Sequence, residues 1–517
     1  MRRRFLKMMG LTGAAAGAAF AQPPRQPASG FLDVRAAGAA GDGTRLDTRA
    51  IQGAIDACAR AGGGAVRFPP GRYLSGSIFL RSRVTLHLEA GAVLLGSAKL
   101  QDYPETVQKF RSYTDNYTAK SLIYAEGVED IAITGRGAID GQGAAFEGPY
   151  KVRPYTIRII ECRNVFVEGV TMRDSPMWMQ HYLACEGVHI RGITVRSRVN
   201  RNNDGIDIDC CRNVRISDCD ISSGDDALCL KSTATLPCRD VAITNCLISS
   251  ACNGLKMGTE TNGGFENIVI SNCTVYDTRL AGLTLQIVDG GTMDRVTVSN
   301  LTMRNVGAPI FVRLGDRARP FREGGPRPAP GRMRNVLISN IEATGGSRTG
   351  CGIAGLPGQA IENLTLENVS LSFTGGGARE DAARPIPEFP DKYPEHNMFG
   401  ALPAYGLFCR HVAGLRLRNV RTSYAAAEGR PALICDDVEG LDLAGFEGAA
   451  TDTAPVRFHS VRDAFVHGCR APAGVPAFLE VSGAATRSVV LAANDLSRAA
   501  KPVATAADVP KNAINGA

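Results

Sequence analysis

A ten-residue pattern recurs at a nearly constant step through the middle of this chain, and it limits the possible folds more than any other feature. VRISDCDISS begins at Val214, VAITNCLISS at Val241, IVISNCTVYD at Ile268 and VTVSNLTMRN at Val296, so the steps are 27, 27 and 28 residues. Earlier copies start at Val165 and Val188, later ones at Val336 and Leu364. Each copy reads as a short alternating strand, an Asn or Gly, and a second strand, with no helical period. Such a unit cannot bury its own apolar face. Stacked units can, because each strand pairs with its equivalents in the neighbouring coils. The pattern predicts an all-β chain wound as a parallel β-helix. A propeller needs longer blades of antiparallel strands and hairpin turns between them, and those signals are scarce.

Other residues fall on the same repeat. Cys162, Cys185, Cys211 and Cys238 each precede a strand, and Cys219, Cys246 and Cys273 occupy one position of three successive copies. Equivalent residues of adjacent coils lie about 4.8 Å apart, so two columns of buried thiols are expected, in preference to disulfides or metal ligands. Asn245, Asn272, Asn300 and Asn340 also recur, which predicts an asparagine ladder at coil corners bonding backbone groups. Residues 47–60 (DTRAIQGAIDACAR) fit a short amphipathic helix with Asp47 as N-cap, placed to cover the open end of the stack. Two segments break the repeat, 317–333 and 376–405; both are read as long surface loops, either lining a cleft or serving as plain insertions.

The first 21 residues read as a targeting segment. Arg2 and Arg3 open an RRxFLK pattern, a Gly/Ala-rich stretch follows, and Ala19-Phe20-Ala21 offers a small-x-small cleavage site. The pattern resembles a twin-arginine export signal, which makes the export machinery a partner and the destination periplasmic or secreted. The expected division is a signal at 1–21, a linker at 22–31, one β-helix domain over 32–500 and a tail at 501–517. No later stretch is apolar enough to span a membrane. Removing 1–21 takes away Arg2, Arg3, Arg4 and Lys7 and no acid, so the net charge falls from +7 to +3. That balance gives no argument for nucleic acid and no strong field for a polyanion. With 15 Cys, an odd number, and folding before export, a disulfide framework is disfavoured.

The candidate chemistry lies in NRNNDGIDID and ISSGDDALCLKS. Asp204 precedes Asp225 by 21 residues and Asp226 by 22, about one coil, so the three should meet in adjacent coils. Gly224 offers a bend that brings Asp225 and Asp226 to one surface. Glycoside hydrolysis needs one protonated carboxylic acid and one ionised carboxylate, and crowding raises the pKa of at least one member. Three exposed turn aspartates, or a Ca²⁺ site, would use the same residues.

Longer stretches carry a resemblance. Residues 41–97, GRGAIDGQG at 135–143, SPMW at 175–178, Asn202-Asn203-Asp204-Gly205 and Asp225-Asp226 follow, in order, the motifs of glycoside hydrolase family 28. That is the polygalacturonase family of right-handed parallel β-helices, and the chain resembles it over roughly residues 32–310. The resemblance implies Asp225 as general acid, Asp204 and Asp226 as the groups that hold and deprotonate the attacking water, inversion at the anomeric carbon, and Asn202 and Asp207 as sugar contacts. It implies a plant cell-wall polysaccharide as substrate, with no cofactor and no metal. Two motifs depart from the family. Cys252-Asn253-Gly254 stands where Gly-His-Gly is usual, and Thr284-Leu285-Gln286 where Arg-Ile-Lys would grip a galacturonate carboxylate. Asn253 and Gln286 therefore take the binding positions without the charge. Lys231, Lys256 and Arg313 are either replacement cations or ordinary surface charges. Trp178, the only Trp, either stacks a sugar or fills the core.

Two other classes share the fold. A polysaccharide lyase needs a base that abstracts a proton beside a uronate carboxylate, and no Lys or Arg motif makes that case. A non-catalytic β-helix needs none of the aspartates.

Overall fold

The structure is a computed structural model that describes residues 31–149 and 152–516; the expected signal at 1–21 and most of the linker lie outside them. Its strands pair in parallel with the strand one coil away. Arg163–Glu168 pairs with Glu186–Arg191, that with Arg212–Ser217, and that with Cys238–Thr244. Thr171–Arg173, Thr194–Ser197, Asp220–Ser223 and Leu247–Ser250 form a second ladder. Gln180–Leu183, Ile206–Asp209, Leu228–Ser232 and Leu255–Thr261 form a third. Three parallel sheets thus wrap one core, and the chain is a parallel β-helix.

Alternation along each strand builds that core. In the coil around Asp204, Ile206, Ile208, Val214, Ile216 and Ile221 are buried inward. Burial of five side chains in a coil of more than twenty residues does not by itself offset the entropy of ordering that coil's backbone. Ladder hydrogen bonds to the coils on either side must supply the rest, so the fold is cooperative along its axis.

The repeat positions behave as columns. All fifteen cysteines are free and buried. Cys162, Cys185, Cys211 and Cys238 stand one residue before the register-paired Arg163, Glu186, Arg212 and Arg239. Asn272, Asn300, Asn340, Asn368 and Asn419 form a ladder with left-handed φ between 50° and 55°. Its bonds run between side chains and not to the backbone as anticipated: from Asn300 on, each amide NH₂ donates to the amide oxygen of the preceding member at 3.0 Å, whereas Asn272 donates to the Thr244 hydroxyl and Asn245, expected in the ladder, donates to Asp218. The Asn side chain tolerates the left-handed corner, and the coil spacing places the next amide within reach.

The predicted helix spans Thr48–Arg60 and buries Ile51, Ala54, Ile55 and Cys58 against the first coil. Asp47 holds the N-cap position but makes no cap bond. Its carboxylate instead accepts from the N–H groups of Ala40 and Gly41, at 2.7 and 2.9 Å, because the chain entering the helix turns back over it. At the other end Val503–Thr505 pairs with Leu479–Val481 and Ile514–Asn515 with Val489–Val490, so the boundary expected at residue 500 falls inside the stack. No described helix is long and apolar enough to cross a membrane.

Candidate active site

The third sheet carries the site. Its inward column is Tyr182, Ile208, Leu230, Met257, Leu285 and Val312, all buried in the core. The alternate residues point outward, and register stacks His181, Asp207, Cys229, Lys256 and Thr284 in one row, with Asp209 beside Lys231 and Gln286 beside Arg313. Strand periodicity alone therefore aims Asp207, Lys231 and Lys256 out of one face.

Asp204, Asp225 and Asp226 come from the bends that lead into these strands. The N–H of Gly205 donates to the Asp226 carbonyl at 2.9 Å, and that of Asp225 to the Asn203 carbonyl at 3.3 Å. Ser223 and Ser250 hydroxyls both donate to the Asp225 carbonyl. Gly224 permits the turn: a Cβ there would stand 3.1 Å from the Asn203 Cβ. Asn203 is fully buried and its amide donates to the carbonyls of Ser175 and Met177. Carboxylate oxygens of Asp225 and Asp226 and the Cys252 sulfur all lie within 4.8 Å of one another. The thiol, and the Lys256 ammonium 2.9 Å from Asp226, make this a poor set for Ca²⁺, which takes hard oxygen ligands.

Two buried lysines organise the acids. Lys231 lies 3.5 Å from Asp207, 3.7 Å from Glu260 and 3.8 Å from Asp204. Lys256 Nζ meets Asp226 Oδ2, and Asn253 Nδ2 donates to Asp226 Oδ1 at 2.8 Å. The environments pull the acids apart. Burial and the charge of Asp226 push Asp225 up, against the attraction of Lys256. Burial would raise Asp226 too, but Lys256, Lys231 and the Asn253 bond hold it below its ordinary value. Burial and the neighbouring Asp207 and Asp225 drive Asp204 well up. Glu260, opposed in its burial by Lys231, Arg319 and Arg317, sits at about 2. A carboxyl shifted up thus stands beside one shifted down, the direction of division that general acid–base cleavage requires.

Several expected sugar contacts are engaged inside the protein. Asp207 is fully buried under Lys231. Trp178 is 5% exposed, packed edge-on by Tyr117, Tyr155 and His181 with Lys231 over its ring, so it fills the wall and offers no face to a sugar. Gln286 is fully buried and donates to Thr284 and to the Pro394 carbonyl. Arg313 donates to the carbonyls of Gly355, Glu388 and Phe389, and Arg410 to those of Ile386 and Pro387. These two arginines anchor the loop after Phe373 and contact no open cleft. Asn202 is half-buried, and its side-chain oxygen accepts from Arg153 at 2.8 Å. Lys231 and Lys256 are neither surface cations nor free clamps, since each is saturated by acids.

The loops add residues that sequence reasoning missed. Tyr393 and Glu395 reach Lys256 and Asn253 from the 376–405 segment. Arg317 and Arg319 of the other loop pair with Asp289 and Glu260. Glu260 was legible in principle, as an outward alternate of the Lys256 strand; nothing local marks Glu395. Arg313→Ala is expected to free the 376–405 loop, at a cost on the order of 3 kcal/mol from the lost buried bonds. Trypsin should then cut after Arg379 or Lys392 in the variant at least tenfold faster than in the parent.

The sequence matches the model of glycosyl hydrolases family 28 over residues 87–387, more than half of the chain. The chain belongs to that family. A probable polygalacturonase of Vitis vinifera is 38% identical over 213 residues, 38% of this chain and 43% of that protein. An exo-poly-alpha-D-galacturonosidase of Dickeya chrysanthemi is 40% identical over 120 residues, 22% of this chain and 19% of that protein. The aligned region thus spans less than half the length of these two relatives. The crystal structure of an exopolygalacturonase from Thermotoga maritima superposes with a TM-score of 0.59 and 25% identity, covering 68% of this chain and 89% of that one. The shared architecture is the right-handed parallel β-helix.

Proposed function

We propose that this family 28 chain is an inverting glycoside hydrolase of a pectic polysaccharide or oligosaccharide, with Asp225 as general acid and Asp226 as general base, Asp204 beside them at the water. The observation that carries this reading is the unequal setting of two adjacent carboxyls in one small cluster: Asp226 is held by Lys256 and Asn253, and Asp225 beside it makes no ion pair among the described residues. The approach of their oxygens is nearer the roughly 5 Å typical of retaining enzymes than the roughly 6.5–9.5 Å of inverting ones. Asp226, however, is 3% exposed and has both oxygens held, by Asn253 and Lys256. A carboxylate so fixed activates a water more readily than it attacks a sugar carbon. Every cation of the cluster among the described residues (Lys231, Lys256, Arg317, Arg319) is paired with a carboxylate. The leaving-side subsite therefore favours a neutral sugar such as rhamnose. The N-terminal pattern supports export through the twin-arginine route.

The test is a panel of homogalacturonan, rhamnogalacturonan fractions and their oligomers, with the product anomer read by NMR. Inverted product is expected, released faster from rhamnogalacturonan oligomers than from homogalacturonan. Activity should rise with pH through the depressed pKa of Asp226 and fall through the raised pKa of Asp225. Retained configuration would remove Asp226 as base, an unsaturated ultraviolet-absorbing product would identify a lyase, and fast release of galacturonate from homogalacturonan would overturn the neutral subsite.

A further inference from the structure

One carboxylate in the centre comes from far away in the chain. Glu395 Oε2 accepts from Asn253 Nδ2 at 3.2 Å, across a separation of 142 residues, and Glu395 Oε1 lies 3.6 Å from Lys256 Nζ. The same amide nitrogen donates to Asp226 Oδ1 at 2.8 Å, and the same ammonium stands 2.9 Å from Asp226 Oδ2. Two donors thus serve two carboxylates in the same arrangement. Neither donor can move aside, since Asn253 is fully buried with its oxygen accepting from the Ala281 N–H, and Lys256 is 3% exposed.

We propose that Glu395 is a positioning residue of the catalytic centre: it divides the hold of Asn253 and Lys256 on Asp226 and so sets the strength of the general base. The loop at 376–405 is then part of the catalytic machinery. Glu395 touches Asp226 only through these shared donors, so its effect runs through their geometry and charge.

The groups that face Glu395 are Lys256, Asp226, Asp225, Cys252 and Tyr393. His396, next in sequence, faces Arg279 instead. Burial raises Glu395 itself, and Asp226 and Asp225 add to that, against Lys256 and the Asn253 bond. When ionised, its charge in turn raises both aspartates. Removing that charge leaves Asp226 with the undivided hold of Lys256 and Asn253, so Asp226 and Asp225 must both titrate lower.

The inference rests on the hydrolase reading, and two measurements on Glu395→Gln separate them. The first is the pH–rate profile on the pectic oligomer that the parent cleaves. Both limbs should move to lower pH by about one unit, kcat should fall about tenfold and KM should stay within about threefold. Glu395→Asp should recover part of the loss. The second is a carboxyl ¹³C titration of aspartate-labelled parent and variant, which needs no substrate. Cluster aspartates should titrate lower in the variant. A variant that loses activity with unmoved limbs and unmoved titrations would make Glu395 a loop clamp and overturn the proposal. Shifted titrations in a parent that cleaves no pectic glycan would uphold the coupling while overturning the hydrolase reading. If Glu395→Gln does not fold, Glu395→Asp alone decides: a longer reach to Lys256 should shift the limbs in the same direction.

Discussion

Asp225→Asn is expected to lower turnover by about 10³-fold or more while raising the melting temperature. Positioned general acids contribute roughly 10²–10⁴-fold, and an amide supplies no proton to a leaving sugar oxygen. Asn has the shape of Asp, and the backbone that sets the bend is held by Ser223 and Ser250 at the Asp225 carbonyl, which the substitution leaves alone. Burial and the charge of Asp226 disfavour an ionised Asp225, and a neutral Asn avoids that cost in the folded state. A family member whose acids merely stabilised the fold would melt lower and keep its rate. Kinetics on a cleaved oligomer together with a thermal melt decide between the two outcomes. Retention of more than about a tenth of the parental kcat would remove Asp225 from the acid role.

Lys231→Met is expected to cost about 3–5 kcal/mol of stability near neutral pH, the range for breaking a buried ion pair by deleting one partner. Asp204, Asp207 and Glu260 all turn on this ammonium, and both Asp207 side-chain oxygens lack any hydrogen bond. Arg319 still holds Glu260, so the penalty falls on Asp204 and Asp207. Both have folded-state pKa values pushed up by burial. A carboxyl raised on folding contributes stability that is present below its unfolded pKa and lost as pH climbs through its folded pKa. Without Lys231 those folded values rise further. The stability gap between parent and variant should therefore narrow as pH is lowered from 7 to 4. Lys231 itself titrates far above this window and does not reverse the trend. Calorimetry at the two pH values is the check, and a gap that widened toward acid would show that Asp204 and Asp207 are ionised and stabilising in the fold.

The two substitutions act on opposite sides of one design. The carboxyl proposed as the acid is destabilising where it stands, and the Lys231 cation holds the cluster together. Lys231 and Lys256, read from the sequence as either substrate cations or surface charges, are both paired with acids inside the protein.

How much of this was legible in the sequence follows from the range of each interaction. The repeat of Val214, Val241 and Ile268 determined the coil, because an alternating strand that cannot bury its own face has to stack. The same spacing determined that Asp204 meets Asp225 and Asp226 and that the cysteines of successive copies form columns, since both follow from one coil-to-coil step. Alternation through Asp207, Lys231 and Lys256 determined which face they share. What each charge pairs with was decided only by the tertiary structure. Arg313 captures loop carbonyls about 75 residues away, and Glu395 arrives 142 residues after Asn253. Periodicity carries no information about where an irregular segment returns. In a buried cluster the partner supplied by that return sets both the charge state of an acid and whether a lysine is free to bind a substrate.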